Sequence, residues 1–199
     1  MSTTPRQTTY PINPQFTERW SPRAYTGEAI PEETLLSFLE AARWAPSASN
    51  VQPWRFIYAR RDTPAWAPVF EGLVPFNQAW AKNASAIVVV LSKKTMVPAG
   101  KTDAVPNAWH AFDAGAAWMS LALQAHAAGW KAHAAGGFDA KVLRANLGIP
   151  DDHDIHAMVM VGRQADKAIL PEGLQAREQP NDRTPLAQLV ADGRFGFGA

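Results

Sequence analysis

"RWAPSASNVQPWRF", Arg43 to Phe56, carries the chain out of one kind of element and into another. Upstream of it, Leu35, Phe38, Leu39 and Ala42 fall at i, i+3, i+4 and i+7, which predicts an amphipathic helix. Pro31, Glu32 and Glu33 open that helix, because proline fits the first turn and acidic side chains complement its positive end. Pro46 stops it. Downstream, "WRFIYA" (Trp54 to Ala59) predicts a strand. A plain connector needs only polar residues, yet this one holds two serines, an asparagine, a glutamine and two prolines between tryptophans.

Further along, "AIVVVL" (Ala86 to Leu91) and "IHAMVMVG" (Ile155 to Gly162) are almost continuously apolar, as expected of strands covered on both faces. Asn107 to Ala128 is the longest helical pattern. Phe112, Ala116, Met119 and Leu123 mark one face and the other is rich in alanine, so this helix is apolar nearly all round and is expected to be buried on several sides. Asp139 predicts an N-cap for a short helix through Asn146, ended by Gly148 and Pro150. A further short helix is expected over Asn13 to Trp20, and the proline-broken stretch 169–199 is expected to wrap over a surface. Helices and strands therefore predict an α+β fold with one central sheet. Residues 1–12 read as a flexible arm and 13–199 as a single domain, without repeats or a linker.

The chain has 199 residues, 47% hydrophobic and 19% charged, with net charge +1, which is globular and lacks the basic excess of a nucleic-acid binder. Cysteine is absent, so disulfides, a thiol nucleophile and cysteine-held metals are excluded. "AIVVVL" is too short to span a bilayer, and the polar, proline-broken start lacks a signal-peptide core. A cytoplasmic location, with neither nucleic acid nor membrane as partner, is the expectation. Eight tryptophans suit core filling, subunit contacts or a flat aromatic ligand.

Several common sites fail on spacing. No G-x-G-x-x-G follows a strand, no P-loop is present, and there is neither a G-x-S-x-G elbow nor an H-E-x-x-H pair. His153 and His156 straddle the entry to a strand and share no helical face, so no metal is expected. His133, beside a glycine pair, is the histidine left as a pocket candidate.

Three polar clusters remain. In "RWSPR", Arg19, Ser21 and Arg23 alternate about Pro22, so two guanidiniums and a hydroxyl can converge on one phosphate. The second cluster is "PSASNVQPW" itself. In "AAGGF" (Ala134 to Phe138) paired glycines let backbone N–H groups approach a planar ligand. Arg183 in "NDRTPL" adds an isolated cation.

These pieces, in the order "ERWSPRAY", "LEAARWAPSASNVQPWRF", "NQAWAKNASAIVVVL", "DAGAAWMSLALQAHAAGW", "GGFDAKVLRANLGIPDD" and "DRTPLAQLV", resemble the nitroreductase family of FMN-dependent NAD(P)H oxidoreductases over about residues 16–190. The resemblance implies a mostly antiparallel sheet flanked by helices in an intertwined homodimer, with FMN at the subunit interface. It implies that Arg19, Trp20, Ser21 and Arg23 hold the phosphate and ribityl chain, Trp20 mainly through its backbone. Pro46, Ser47, Ala48, Asn50 and Gln52 match a segment that reaches a flavin, in part from the partner subunit. Asn77 matches a reader of the pyrimidine edge, Ala135, Gly136 and Gly137 a loop whose N–H meets flavin N5, and Arg183 a cation that closes over the phosphate.

The resemblance also implies NADH or NADPH as reductant in a ping-pong cycle with a small-molecule acceptor such as a nitroaromatic or quinone. The alternatives are a specialised flavin-fragmenting, dehalogenating or enone-reducing protein of the same fold, or a non-catalytic FMN-binding protein. Trp80 stands where some relatives carry a lysine near flavin O2, and Gly136 where an acidic residue is frequent. Arg23, and less favourably Lys82, is then the candidate cation beside the reduced ring. No side chain is expected to act as catalytic acid or base.

Overall fold

The computed structural model describes residues 6–197. In chain order the helices and strands are α1 (Gln15–Glu18), α2 (Glu32–Arg43), β1 (Trp54–Arg60), α3 (Trp66–Phe70), α4 (Pro75–Ala81), β2 (Ala86–Lys93), β3 (Thr95–Met96), β4 (Val105–Pro106), α5 (His110–Ala127), β5 (Lys131–Ala135), α6 (Ala140–Leu147), β6 (His153–Gly162) and α7 (Glu172–Gln175). The main sheet has the order β1-β2-β6-β5. All its pairings are antiparallel. The expected mostly antiparallel sheet flanked by helices is thus present.

The apolar runs predicted to be double-sided are so. Ile87, Val89, Leu91, Met158 and Met160 pack into one core under α3 and α6. Ala86, Val88, Val90, Val159 and Val161 pack into the other, under α2 and α5. Between Val90 and Leu91 the register slips, leaving His156 as an extra residue opposite no partner. Such a bulge re-aims its side chain; here His156 Nε2 lies 2.6 Å from the Ser92 hydroxyl.

Two helix expectations need correction. The first helix is shorter than 13–20, and α5 begins at His110 because the Asn107 side chain accepts from Trp109 N and turns the chain there. Nor is α5 buried on several sides. Ala114, Ala117, Leu121, Ala122 and Ala125 are buried, whereas Phe112 is 75% exposed. Small side chains let the helix axis approach the sheet closely, so the alanine stripe is the inner one. Asp139 behaves as expected, accepting from Lys141 N and Val142 N, and Gly148 ends α6 at φ 64°.

Of the expected flexible arm, residues 1–5 lie outside the described residues. Arg6 is pinned, its Nη1 donating to Thr17 O and Arg19 O.

Candidate functional site

The "RWSPR" segment leaves α1 in extended conformation and meets β5 at its middle residue, His133. It is held there from far along the chain: Glu178 Oε1 accepts from Arg23 N at 2.6 Å and from Ala24 N at 2.8 Å. A buried carboxylate bonded to consecutive backbone N–H groups fixes the segment's path. Arg19 Nη1 in turn donates to Ser21 Oγ at 3.3 Å.

Beside it opens a cavity of about 510 Å³. Arg19, Trp20, Ser21 and Arg23 line it together with His133, Arg183, Arg6 and Arg177. Five guanidiniums meet there, and no described lining residue is acidic. Burial depresses the Arg19 pKa, and so do the neighbouring charges of Arg183 and Arg6. The Nε atoms of Arg6, Arg19 and Arg23 are buried without a partner. Crowded like charges and idle donors fit a bound polyanion, and Arg forks suit phosphate oxygens.

The floor of the basin is aromatic. Trp80 is 1% exposed. It lies against His133 at 4.7 Å between ring centroids, with Arg23 over it at 5.8 Å. Trp80 therefore backs the arginines from beneath, and the exposed Lys82 lies outside the lining.

His133 Nδ1 lies 3.0 Å from Pro22 O, an acceptor, so Nδ1 carries the hydrogen. Burial, helped by the Arg23 and Arg19 charges, lowers its pKa to about 4. The imidazole is neutral at pH 7 and adds no charge to the basin. Above pH 6.5 neither folded nor unfolded chain protonates it; below, the unfolded chain takes the proton first. Stability should therefore fall by roughly 3 kcal/mol between pH 6.5 and about 4 on account of this group. Urea unfolding of wild type and His133→Gln across that range checks this, the variant losing less; equal pH slopes would contradict it.

The glycine loop adjoins this floor. Asn77, buried on α4, donates through Nδ2 to Gly137 O at 2.9 Å and accepts from Trp80 Nε1 at 3.3 Å. Asn77 thus holds the loop, with one donor hydrogen still unassigned. A Cβ at Gly137 would lie 2.6 Å from Asn77 Nδ2, so a side chain there would displace the amide from its bond to Gly137 O. A Cβ at Gly136 would meet nothing within 4 Å, so this exposed residue is open on that side, and Ala135 closes β5 before it.

The "PSASNVQPW" segment is elsewhere. Pro46, Ser47, Ala48, Asn50 and Gln52 are absent from the basin lining. Asn50 instead lines a separate cleft with Lys93, Thr95 and Met96. Ser49, Asn50 and Gln52 have φ values of 51°, 54° and 53°. The structure thus joins Arg19, Trp20, Ser21, Arg23 and Arg183, sets Asn77, Ala135, Gly136 and Gly137 beside them, and keeps the connector apart. Arg6, Arg177 and Glu178 were not foreseen. Arg6 sat in the supposed arm, and "REQPNDR" lies in a stretch without periodicity.

A profile of the Nitroreductase family matches residues 16–65 and 63–163. The chain is 29% identical over 200 residues to a Thermus thermophilus protein named NADH dehydrogenase, covering 87% of this chain and 91% of that one. It is 31% identical over 150 residues to an uncharacterized 15.4 kDa Mycolicibacterium smegmatis protein, covering 71% and 97%. A crystal structure described as an oxidoreductase containing FMN is 47% identical, with TM-score 0.94 and full coverage of both chains. A candidate nitroreductase from Desulfovibrio desulfuricans, solved in complex with FMN, is 27% identical with TM-score 0.73, covering 95% of this chain and 100% of that one.

Proposed function

We propose, because the chain belongs to the nitroreductase family, that it is an FMN-dependent oxidoreductase passing electrons from NAD(P)H to nitroaromatics, quinones or similar acceptors. The observation that carries this is the basin of five arginines without an acidic lining residue, matched to the terminal phosphate of FMN. Arg19, Ser21 and Arg23 would hold that phosphate and the ribityl chain, with Trp20 contributing backbone, and Arg183 would close over it. The Gly136 backbone would donate to the ring, and Asn77 would keep the loop in shape. When bound, FMN supplies the hydride chemistry, alternating between NAD(P)H and the acceptor in a ping-pong cycle. The protein's part is to bind, orient and place positive charge.

A single FMN-binding domain over residues 13–199 and a homodimer complete the proposal. Trp44, Trp109 and Phe112 are 74%, 58% and 75% exposed, a larger apolar display than a solitary subunit favours. In such a dimer Pro46, Ser47, Ala48, Asn50 and Gln52 would meet the flavin held by the other subunit. No helix among the described residues is long and apolar enough to cross a membrane, and a cytoplasmic enzyme is the proposed setting.

Arg19→Ala should weaken FMN binding roughly 10- to 100-fold, since a hydrogen bond to a charged group contributes about 1.5–3 kcal/mol. Fluorescence titration of apo-protein measures it, with riboflavin, which lacks the phosphate, unaffected. Equal FMN affinity in wild type and variant would reject this placement. Steady-state oxidation of NADH and NADPH against nitro, quinone and enone acceptors then tests the activity.

A further inference from the structure

We propose that Asp113 is a positioning residue for the flavin-facing loop, Pro46 to Gln52; this rests on the flavoprotein reading above. Asp113 lies in the first turn of α5, 2% exposed on a helix whose other buried residues are alanine and leucine. Among the described residues no lysine or arginine pairs with it. Burying an unpaired carboxylate is costly unless something close at hand uses it. What uses it is the loop: Ala48 N donates to Asp113 Oδ2 at 3.2 Å and Oδ1 at 3.4 Å.

The loop needs such an anchor. Ser49, Asn50 and Gln52 all hold left-handed backbone conformations that favour glycine, yet none is glycine. Each costs of order 1 kcal/mol and persists only where the surroundings over-determine it. Within the loop, Gln52 N donates to Ser47 Oγ and Gln52 Nε2 to Asn50 O. From outside, Arg55 reaches Gln52 O at the exit, and Asp113 reaches Ala48 at the entry. At the start of the same turn of α5, His110 Nδ1 lies 2.7 Å from the Ser92 hydroxyl, so the turn bearing Asp113 is itself braced on β2. Asn50, whose side-chain amide has no bond within the described residues, is left presented on a preformed loop.

The test uses apo-protein titrated with FMN, read by affinity and by the visible circular dichroism of the bound flavin, with apo-protein melting as the folding control. Asp113→Ala should lower affinity about tenfold or more, because the loop must then be ordered on binding. Its flavin dichroism should change as well. Asp113→Asn keeps an oxygen for Ala48 N and should restore both to near wild type. Ala48→Pro removes the donor from the other end and should reproduce the alanine variant. The double variant Asp113→Ala with Ala48→Pro should be no worse than either alone. Unchanged affinity and dichroism in Asp113→Ala, or an asparagine variant as weak as alanine, overturns the proposal. Wild-type apo-protein that takes up no FMN would overturn the flavoprotein reading and this proposal with it.

Discussion

Replacing Trp80 with alanine should cost about 3–5 kcal/mol of folding stability, the range for emptying a buried aromatic site. Trp80 is 1% exposed and packs among four residues in and around the site. Its ring lies 6.3 Å from Tyr25 and 4.7 Å from His133 between centroids. Arg23 lies over it at 5.8 Å, and its Nε1 donates to Asn77 Oδ1 at 3.3 Å. Truncation would open a void beneath the arginine basin and release the amide that shapes the glycine loop. Urea unfolding at pH 7 gives the loss directly. Trp80→Phe should fall between the two, since it refills much of the volume but leaves Asn77 Oδ1 without its donor. A loss below about 1 kcal/mol in the alanine variant would show that the surroundings collapse into the gap.

The second large effect is expected at Glu178. Its carboxylate joins residues 155 and 154 positions apart in sequence, accepting from Arg23 N and Ala24 N at 2.6 and 2.8 Å. Glu178→Ala leaves two backbone donors at a buried position without acceptors, each costing roughly 1–3 kcal/mol. A stability loss of about 3 kcal/mol and weaker FMN binding should appear together, because the same segment carries Ser21 and Arg23. Glu178→Gln retains an acceptor oxygen and should lose about half as much. If the alanine variant lost stability but kept FMN affinity, the segment would hold its shape by other means.

The fold was legible where chemistry repeats along the chain. Two apolar runs announced β2 and β6, and proline with acidic residues announced α2. Asp139 and Gly148 bracketed α6. Legibility failed where size, rather than polarity, sets the inner face. On α5 apolar residues run nearly all round, so pattern alone did not separate the faces; the sheet accepts alanine and leaves Phe112 outside. Strand β5, "KAHAA", gave no signal either, since alanine favours helices and its pairing with β6 is purely tertiary.

The candidate site divided along similar lines. Arg19, Ser21 and Arg23 stood together in sequence and stand together in the cavity. Arg6 and Arg177 reach the same cavity from opposite ends of the chain, a convergence no local pattern records. Asp113 did leave a trace: "DAGAAW" puts one carboxylate into an otherwise apolar helix. Its partner, a backbone N–H 65 residues away, was invisible until the chain was folded.

The distribution of the arginines has a consequence for biosynthesis. All four strands of the main sheet lie between Trp54 and Gly162. The basin, by contrast, needs Arg6, Arg19 and Arg23 from before them and Arg177 and Arg183 from after them. While the ribosome is still extending the chain through the sheet, two of the five arginines do not yet exist. The complete basin can therefore form only after residue 183 has emerged, so a phosphate-bearing cofactor meets all five arginines only at the end of synthesis.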